Sequence, residues 1–255
     1  MKLIIGNTGL VGETLSKSYD FDYAFNTKNI DSFDKICQNG DELFLSCLPA
    51  TKWKVNKDIK SDIENINSLI KIIEKFEYSK ITLISTIDVY CDSPIKSNED
   101  YKINVSELNY GTNRLLFELL IKKLVKSEKL QVFRLPALFN KSIKKNVLYD
   151  LIHKNNVSDI NTNSTFQWYN LDNLSLDIEK YSTLYPNQEI FNLFTEPIDT
   201  QEIVNLFPEI KNLPQYKPNR IEYDYTTVFS NTGYIQSKED TLNDIKKFIN
   251  EFSGK

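Results

Sequence analysis

A short strand that runs straight into three glycines at fixed spacing constrains this chain more than any other feature. Lys2–Ile5 is followed by Gly6-Asn7-Thr8-Gly9-Leu10-Val11-Gly12, and this Gly-x-x-Gly-x-x-Gly sequence opens a helix over Leu10–Ser18. Each glycine has a physical reason to be there. The first permits the tight turn, the second lets backbone approach a pyrophosphate, and the third lets the helix pack closely on the strand; the phosphate then rests on the helix N-terminus. The whole chain has only seven glycines, and three fall here in register. That makes a plain strand-to-helix turn the poorer reading. Gly6, Thr8, Gly9, Leu10, Val11 and Gly12 are therefore the first candidate cofactor-binding set.

The rest of the pattern supplies a sheet for this loop. After Asp22–Phe25 and Glu42–Cys47, the spacing of Ile59, Ile63, Ile66, Leu69, Ile70 and Ile73 predicts an amphipathic helix over Lys57–Phe76. Lys80–Ser85 reads as a strand, Val105–Val125 as a long helix and Leu130–Leu135 as a fifth strand. Strands that alternate with helices, and that are apolar almost throughout, indicate a parallel sheet covered on both faces. The expected fold is α/β, a doubly wound parallel sheet of the Rossmann kind with a small, partly discontinuous C-terminal substrate region.

The rhythm loosens after Pro136. A helix around Val147–His153 precedes an Asn/Ser/Thr-rich surface loop, Asn155–Thr165; strands follow at Phe166–Asn170 and Glu189–Leu193, with a helix between them from about Asn173. Pro197–Tyr216 and Ile221–Val228 read as a small appended region, and Ser237–Phe252 as a closing amphipathic helix. The expected division is a dinucleotide-binding domain over 1–140, a substrate-binding region over 141–236 with strands returning to the sheet at about 166–194, and a closing helix over 237–255.

Composition excludes several function classes. The 255 residues carry a net charge of −4, which lacks the basic excess of a nucleic-acid-binding face. No apolar run approaches the roughly 20 residues of a membrane span, and the opening Met-Lys-Leu-Ile-Ile is too short for a signal-peptide core. Cys37, Cys47 and Cys91 are odd in number and lack metal-type spacing, so reduced thiols, a cytoplasmic location and no metal site are expected. Of the 31 lysines and arginines only Arg114, Arg134 and Arg220 are arginine. In a chain that defaults so strongly to lysine, each guanidinium marks a place where fork geometry matters.

The second strand ends at Asn26-Thr27-Lys28 without a carboxylate. A carboxylate there would bond the ribose 2′-hydroxyl of NAD. Asp31-Ser32 fits better as the cap of a short helix toward Ile36. Thr27 and Lys28 suit a 2′-phosphate instead, so the cofactor expectation is NADP or NAD with NADP preferred.

The fourth strand leads into Ile84-Ser85-Thr86-Ile87-Asp88-Val89-Tyr90, and Tyr110-Gly111-Thr112-Asn113-Arg114 follows 24 residues after Thr86. With Arg134-Leu135-Pro136 and Phe166-Gln167-Trp168-Tyr169-Asn170, these residues resemble the extended short-chain dehydrogenase/reductases, the NAD-dependent epimerase/dehydratase family, over about residues 1–180. The resemblance implies that Thr86 and Tyr110 form the active site, with Tyr110 the proton donor or acceptor. It implies that Cys47, Leu48, Pro49 and Pro136 border the cofactor. The family has lysine at position 114. Arginine keeps a permanent charge and several donors, so it is expected to bridge the nicotinamide ribose and Tyr110, its neighbour one helical turn away, and to keep the phenol partly ionised.

Other positions are substrate candidates with ordinary alternatives. Lys52 sits in Lys52-Trp53-Lys54, close enough to reach the mouth of such a site or simply to pack a helix-entry loop. Asp88 stands beside Thr86. Asn140 occupies a place where the family commonly has glycine, and asparagine tolerates positive φ. Gln167 and Arg220 are candidate substrate contacts, with surface packing the alternative for each. His153, the single histidine, reads as exposed and uninvolved.

The resemblance implies a sugar or nucleotide-sugar substrate, hydride chemistry at a carbon bearing oxygen, no nucleic-acid or membrane partner, and a homodimer through the helices at 57–76 and 105–125. Ile87-Asp88 does not match the dehydratase Asp-Glu pair, which favours a reductase or epimerase. The rival reading is a non-catalytic dinucleotide-binding sensor or scaffold, since a fold does not imply a function.

Overall fold

The computed structural model describes residues 1–91, 93–210 and 220–252. The elements are β1 (Lys2–Ile5), α1 (Leu10–Ser18), β2 (Tyr23–Phe25), α2 (Phe33–Ile36), β3 (Glu42–Leu45), α3 (Lys52–Lys57), α4 (Ile59–Ile73), β4 (Lys80–Thr86), α5 (Tyr110–Leu124) and β5 (Leu130–Leu135). Then come β6 (Ala137–Phe139), α6 (Val147–His153), β7 (Thr165–Phe166), β8 (Trp168–Asn170), α7 (Leu174–Leu184), β9 (Ile190–Asn192), β10 (Ile198–Asp199), α8 (Thr200–Val204) and α9 (Lys238–Phe252). The chain falls into two compact units. The first comprises Met1–Pro94, Tyr101–Arg134 and Asn173–Asn192; the second comprises Ile95–Asp100, Leu135–Asp172 and Leu193–Lys255.

The first unit is an α/β layer structure around a six-stranded sheet of order β2-β1-β3-β4-β5-β9. β1 pairs in parallel with β2 on one side and β3 on the other, β3 with β4, and β5 with β9. This is a doubly wound sheet, and its strand order reverses between β1 and β3, where such sheets open a crevice at their carboxyl ends. Alternation along the strands explains why both faces are apolar. Leu3, Ile5, Leu43, Leu45, Ile81 and Leu83 point into a core with Ile66 and Ile73 of α4 and Phe117 and Ile121 of α5. Phe44 faces the other way, with ring centroids 5.2 Å from both Tyr19 and Phe21. Burying each such side chain contributes about 1.5–3 kcal/mol.

The second unit holds two small sheets, β6 with β8 in parallel and β7 with β10 antiparallel. Its core contains Phe139, Trp168, Tyr169 and Ile198, with Phe248 of α9 tilted against Phe139 at 5.7 Å.

Several boundaries differ from those expected. The long helix expected over Val105–Val125 begins only at Tyr110, because Asn109 caps it: the Asn109 side chain accepts from Thr112 N, and Thr112 Oγ1 accepts from Asn109 N. The helix expected over Lys57–Phe76 is α4, Ile59–Ile73, and a separate short helix, α3, comes before it. Asp58 separates them and caps α4 by accepting from Ser61 N, so Lys52-Trp53-Lys54 is helical and not a loop. Phe166–Asn170 is two strands that pair with different partners on either side of Gln167. Only β9 returns to the large sheet. Ile221–Val228 contributes a single bridge among the described residues, Glu222 to Thr165, and Lys211–Asn219, including Tyr216, together with residues 253–255 of the expected closing segment, lie outside the described residues.

Candidate functional site

The glycine loop is built as the spacing predicts. Gly6 has φ +99°, and a Cβ on it would stand 2.5 Å from Ser46 O. A Cβ on Gly12 would stand 2.1 Å from Gly6 O, so this glycine is what lets α1 sit against the strand end. Gly9 is different: a Cβ there would meet only Gly6 O, at 3.6 Å. Gly9 is the N-cap of α1 and no side chain caps the helix. The loop is therefore closed by backbone on two sides and open at Gly9, beside the uncapped amides of a nine-residue helix. That is a cradle of the right kind for a pyrophosphate. Thr8 and Gly9 are exposed, and Leu10 and Val11 are half-buried beside them.

Beyond β2, Asn26 donates to Asn7 Oδ1 in the glycine loop and accepts from Lys28 N. Thr27 and Lys28 are exposed. Asp31 lies in a 3₁₀ turn, Ile30–Ser32, whose N-cap is Asn29. The expected Asp31-Ser32 cap does not form: Ser32 precedes α2 without a side-chain bond into it and donates instead to Asn29 O.

The chemistry-bearing residues of the first unit lie at the end of β4 and the start of α5. Thr86 Oγ1 donates to Asp88 Oδ2 at 3.2 Å and accepts from Asp88 N at 3.2 Å. Lys52 Nζ pairs with Asp88 Oδ1 at 2.6 Å. A Cβ on Gly111 would stand 1.9 Å from Asp88 O, so α5 starts hard against this turn. Tyr110 N donates to Asn56 Oδ1 at 2.8 Å, and the residue is 7% exposed. Lys52, Thr86, Asp88 and Tyr110 thus lie close together.

Arg114 has partners that the sequence did not announce. Nη1 donates to Asp62 Oδ2 at 2.8 Å, and Nη2 donates to Asp62 Oδ1 at 3.1 Å and to Pro49 O at 2.7 Å. Asn113 Nδ2 donates to the same Asp62 Oδ2 at 2.8 Å. Arg114 and Asp62 are both buried, and the guanidinium carbon lies 4.5 Å from the centroid of the Tyr110 ring. Three donor contacts of the guanidinium are held by protein acceptors. Nor is Tyr110 eased toward phenolate. Burial pushes its phenol up from the usual value, outweighing the downward pull of Arg114, while Asp88 and Asp62 add to the upward side. Desolvation of the neutral-to-anion step wins over one compensated cation.

The turn after β3 carries a feature that sequence reasoning missed. Leu48 has φ +81°, a region that a branched, bulky residue seldom occupies. Arg114 holds the next carbonyl, Pro49 O. Cys47 sits beside it, its thiol pushed up to about 12 by burial despite the nearby guanidinium. Asp62, Asn56 and Gly111 were also missed. Only Gly111 left a trace, a glycine inside a predicted helix, where its backbone freedom is a cost.

Behind the site lies a buried network. Arg134 Nε and Nη2 fork onto Glu118 at 3.1 and 2.6 Å, and Nη1 donates to Tyr90 Oη at 2.7 Å. Ser85 donates to Glu118, and Asn192 Nδ2 donates to Tyr90 Oη.

The remaining candidates belong to the second unit. Gln167 is fully buried: Nε2 donates to Thr195 O and Tyr225 O, and Oε1 accepts from Tyr225 N. Its amide clamps three chain segments, so the packing alternative holds here and the substrate contact does not. Asn140 is buried, donates to Asp172 Oδ1 and accepts from Ser142 N. The positive φ expected there is found at Asn146 instead, at +127°. Asn146 donates to Leu138 O and caps α6 through Tyr149 N. Arg220 is exposed and pairs with Glu222 at 3.4 Å. Pro136 is buried. His153 is exposed and packs edge-on to Phe252 and beside Tyr149. Among the described residues no group of three or more His, Cys, Asp or Glu is placed to hold a metal, and no helix is long and apolar enough to cross a membrane.

Solved structures share this fold along nearly the whole chain. A dTDP-4-dehydrorhamnose reductase from Clostridium acetobutylicum matches with a TM-score of 0.75 at 15% identity, covering 98% of this chain and 99% of that one. A UDP-glucose 4-epimerase from Thermotoga maritima, solved with UDP-glucose, gives 0.71 at 14% identity over 98% and 97%. A UDP-glucuronic acid 4-epimerase from Bacillus cereus, solved with a UDP-sugar and NAD, gives 0.70 at 16% identity over 98% and 99%. No family model matches the sequence, and no curated protein does either. The fold is that of the nucleotide-sugar reductases and epimerases.

Proposed function

We propose that this chain is an extended short-chain dehydrogenase/reductase that binds a nicotinamide dinucleotide and reduces, oxidises or epimerises a sugar or nucleotide-sugar at a carbon bearing oxygen. The observation that carries the reading is the glycine loop, closed at Gly6 and Gly12 and open at Gly9, in one unit with the Thr86–Asp88–Lys52 cluster and Tyr110. Gly6, Thr8, Gly9 and the amides of Leu10 and Val11 would hold the pyrophosphate. Asn26, Thr27 and Lys28 would face the adenine ribose, with NADP favoured, and Cys47, Leu48 and Pro49 would line the adjoining side.

The cofactor, when bound, supplies or accepts hydride at the carbon that changes oxidation state. The chain's own residues manage the oxygen. Tyr110 gives it a proton or takes one, and Thr86 turns its hydroxyl from Asp88 to steady it. Lys52, held by Asp88, presents a cation to the anionic part of a nucleotide-sugar. Titration with NADPH and NADH by fluorescence, followed by turnover with 4-keto nucleotide-sugars, tests this reading. A chain that binds neither dinucleotide is not an enzyme of this kind.

One observation favours the second reading, a dinucleotide-binding sensor: Arg114 is spent on Asp62 and Pro49. A sensor binds the dinucleotide without consuming it.

A further inference from the structure

The oxidoreductase reading gives no part to Asp62, a carboxylate 3% exposed on α4. It takes both terminal nitrogens of Arg114 and the amide of Asn113. Arg114, so held, lies against the face of the Tyr110 ring and caps Pro49 O after the strained Leu48. A bidentate fork fixes a guanidinium in both position and plane, and a lysine at 114 has no fork with which to answer a carboxylate. Arginine at this position and aspartate at 62 therefore explain each other.

We propose that Asp62 is the positioning residue of this site: it locks Arg114 as a charge-neutral pair beneath Tyr110, so that the tyrosine is kept as a phenol and serves as a proton donor. The inference rests on the proposed oxidoreductase reading and specifies its direction. A carbonyl carbon that accepts hydride from a reduced nicotinamide dinucleotide leaves an oxygen that takes the Tyr110 proton, and solvent restores that proton to the phenolate. Reduction is the step such a site suits. The charged groups facing the phenol agree with this. Arg114 on α5 is compensated by Asp62 on α4, and Asp88 after β4 adds negative charge that Lys52 on α3 offsets.

The test reads the phenol directly and needs neither cofactor nor substrate. A fluorinated tyrosine at position 110, with its lower intrinsic pKa, is titrated by ¹⁹F NMR in the full chain. Asp62→Asn leaves the guanidinium uncompensated, and the titration moves down by about one pH unit or more. Arg114→Gln leaves the carboxylate alone and moves it up. The double variant, neutral again, returns close to the parent. An Asp62→Asn midpoint equal to the parent's overturns the proposal. Should that variant fail to fold, Arg114→Gln without an upward shift overturns it equally. NADPH and NADH titrations run alongside: a parent that binds neither sinks the proposed function while leaving the phenol titration readable.

Discussion

Gly111 and Asp88 approach so closely that a Cβ on the glycine would stand 1.9 Å from the aspartate carbonyl oxygen. Since the adjoining residue is Tyr110 and the aspartate holds Thr86, this approach sets the spacing between the two expected active-site hydroxyls. Gly111→Ala should destabilise the fold by about 1–3 kcal/mol through overpacking. Turnover should fall on the order of 100-fold, because a displacement near 1 Å is enough to do so. Thermal unfolding with steady-state kinetics checks both, and an alanine variant with parental kcat removes the argument.

The glycine loop should separate folding from binding. Gly12→Ala places a methyl 2.1 Å from Gly6 O and should cost stability outright. Gly9→Ala makes only an ordinary contact, with Gly6 O at 3.6 Å, so the chain should keep its Tm while losing dinucleotide affinity. Parallel melting curves and fluorescence titrations give the comparison.

The Arg134–Glu118 fork is fully buried. Removing one partner strands a charge, and Glu118→Ala should cost about 3–5 kcal/mol. Denaturant unfolding measures it, and a loss below about 1 kcal/mol would show that Tyr90 satisfies the guanidinium by itself.

Alkaline stability follows from the tyrosines. Burial raises Tyr110, Tyr19 and Tyr78, each from an ordinary value of 10.0. Above pH 10 the unfolded chain releases these protons while the folded chain retains them. Stability contributed by the buried phenols is therefore complete below pH 10 and is lost as pH rises past it. Melting temperature against pH should fall steeply above 10, and Tyr78→Phe should flatten that fall.

Exposed Lys28 at the end of β2 should favour a 2′-phosphate. Lys28→Ala should weaken NADPH binding and leave NADH binding unchanged, and raised salt should shrink the difference. Equal losses for both cofactors would place Lys28 elsewhere.

What the sequence disclosed was mostly periodic. Leu3, Leu43 and Ile81 announce strands buried on both faces, and three glycines in register announce the loop. Thr86 and Tyr110 stood out through the family resemblance of the residues around them, while the helix start that Asn109 fixes was missed, because periodicity runs past a cap. Arg114's partner was not legible, because Asp62 lies 52 residues away and nothing in an i, i+4 pattern reports a contact between helices. Gln167 looked available because a lone glutamine shows no sign of the backbone groups that will surround it. Asn140 and Asn146 are interchangeable in composition, and only the path of the chain decides which one turns left-handed.

The two units are interleaved along the chain, which passes from one to the other at 94, 100, 134, 172 and 192. Neither is a contiguous stretch of gene. A recombination event cannot replace the second unit as a cassette, since no single crossover separates the two units whole. Change in the second unit has to accumulate segment by segment, while the residues of the large sheet between those segments stay in place.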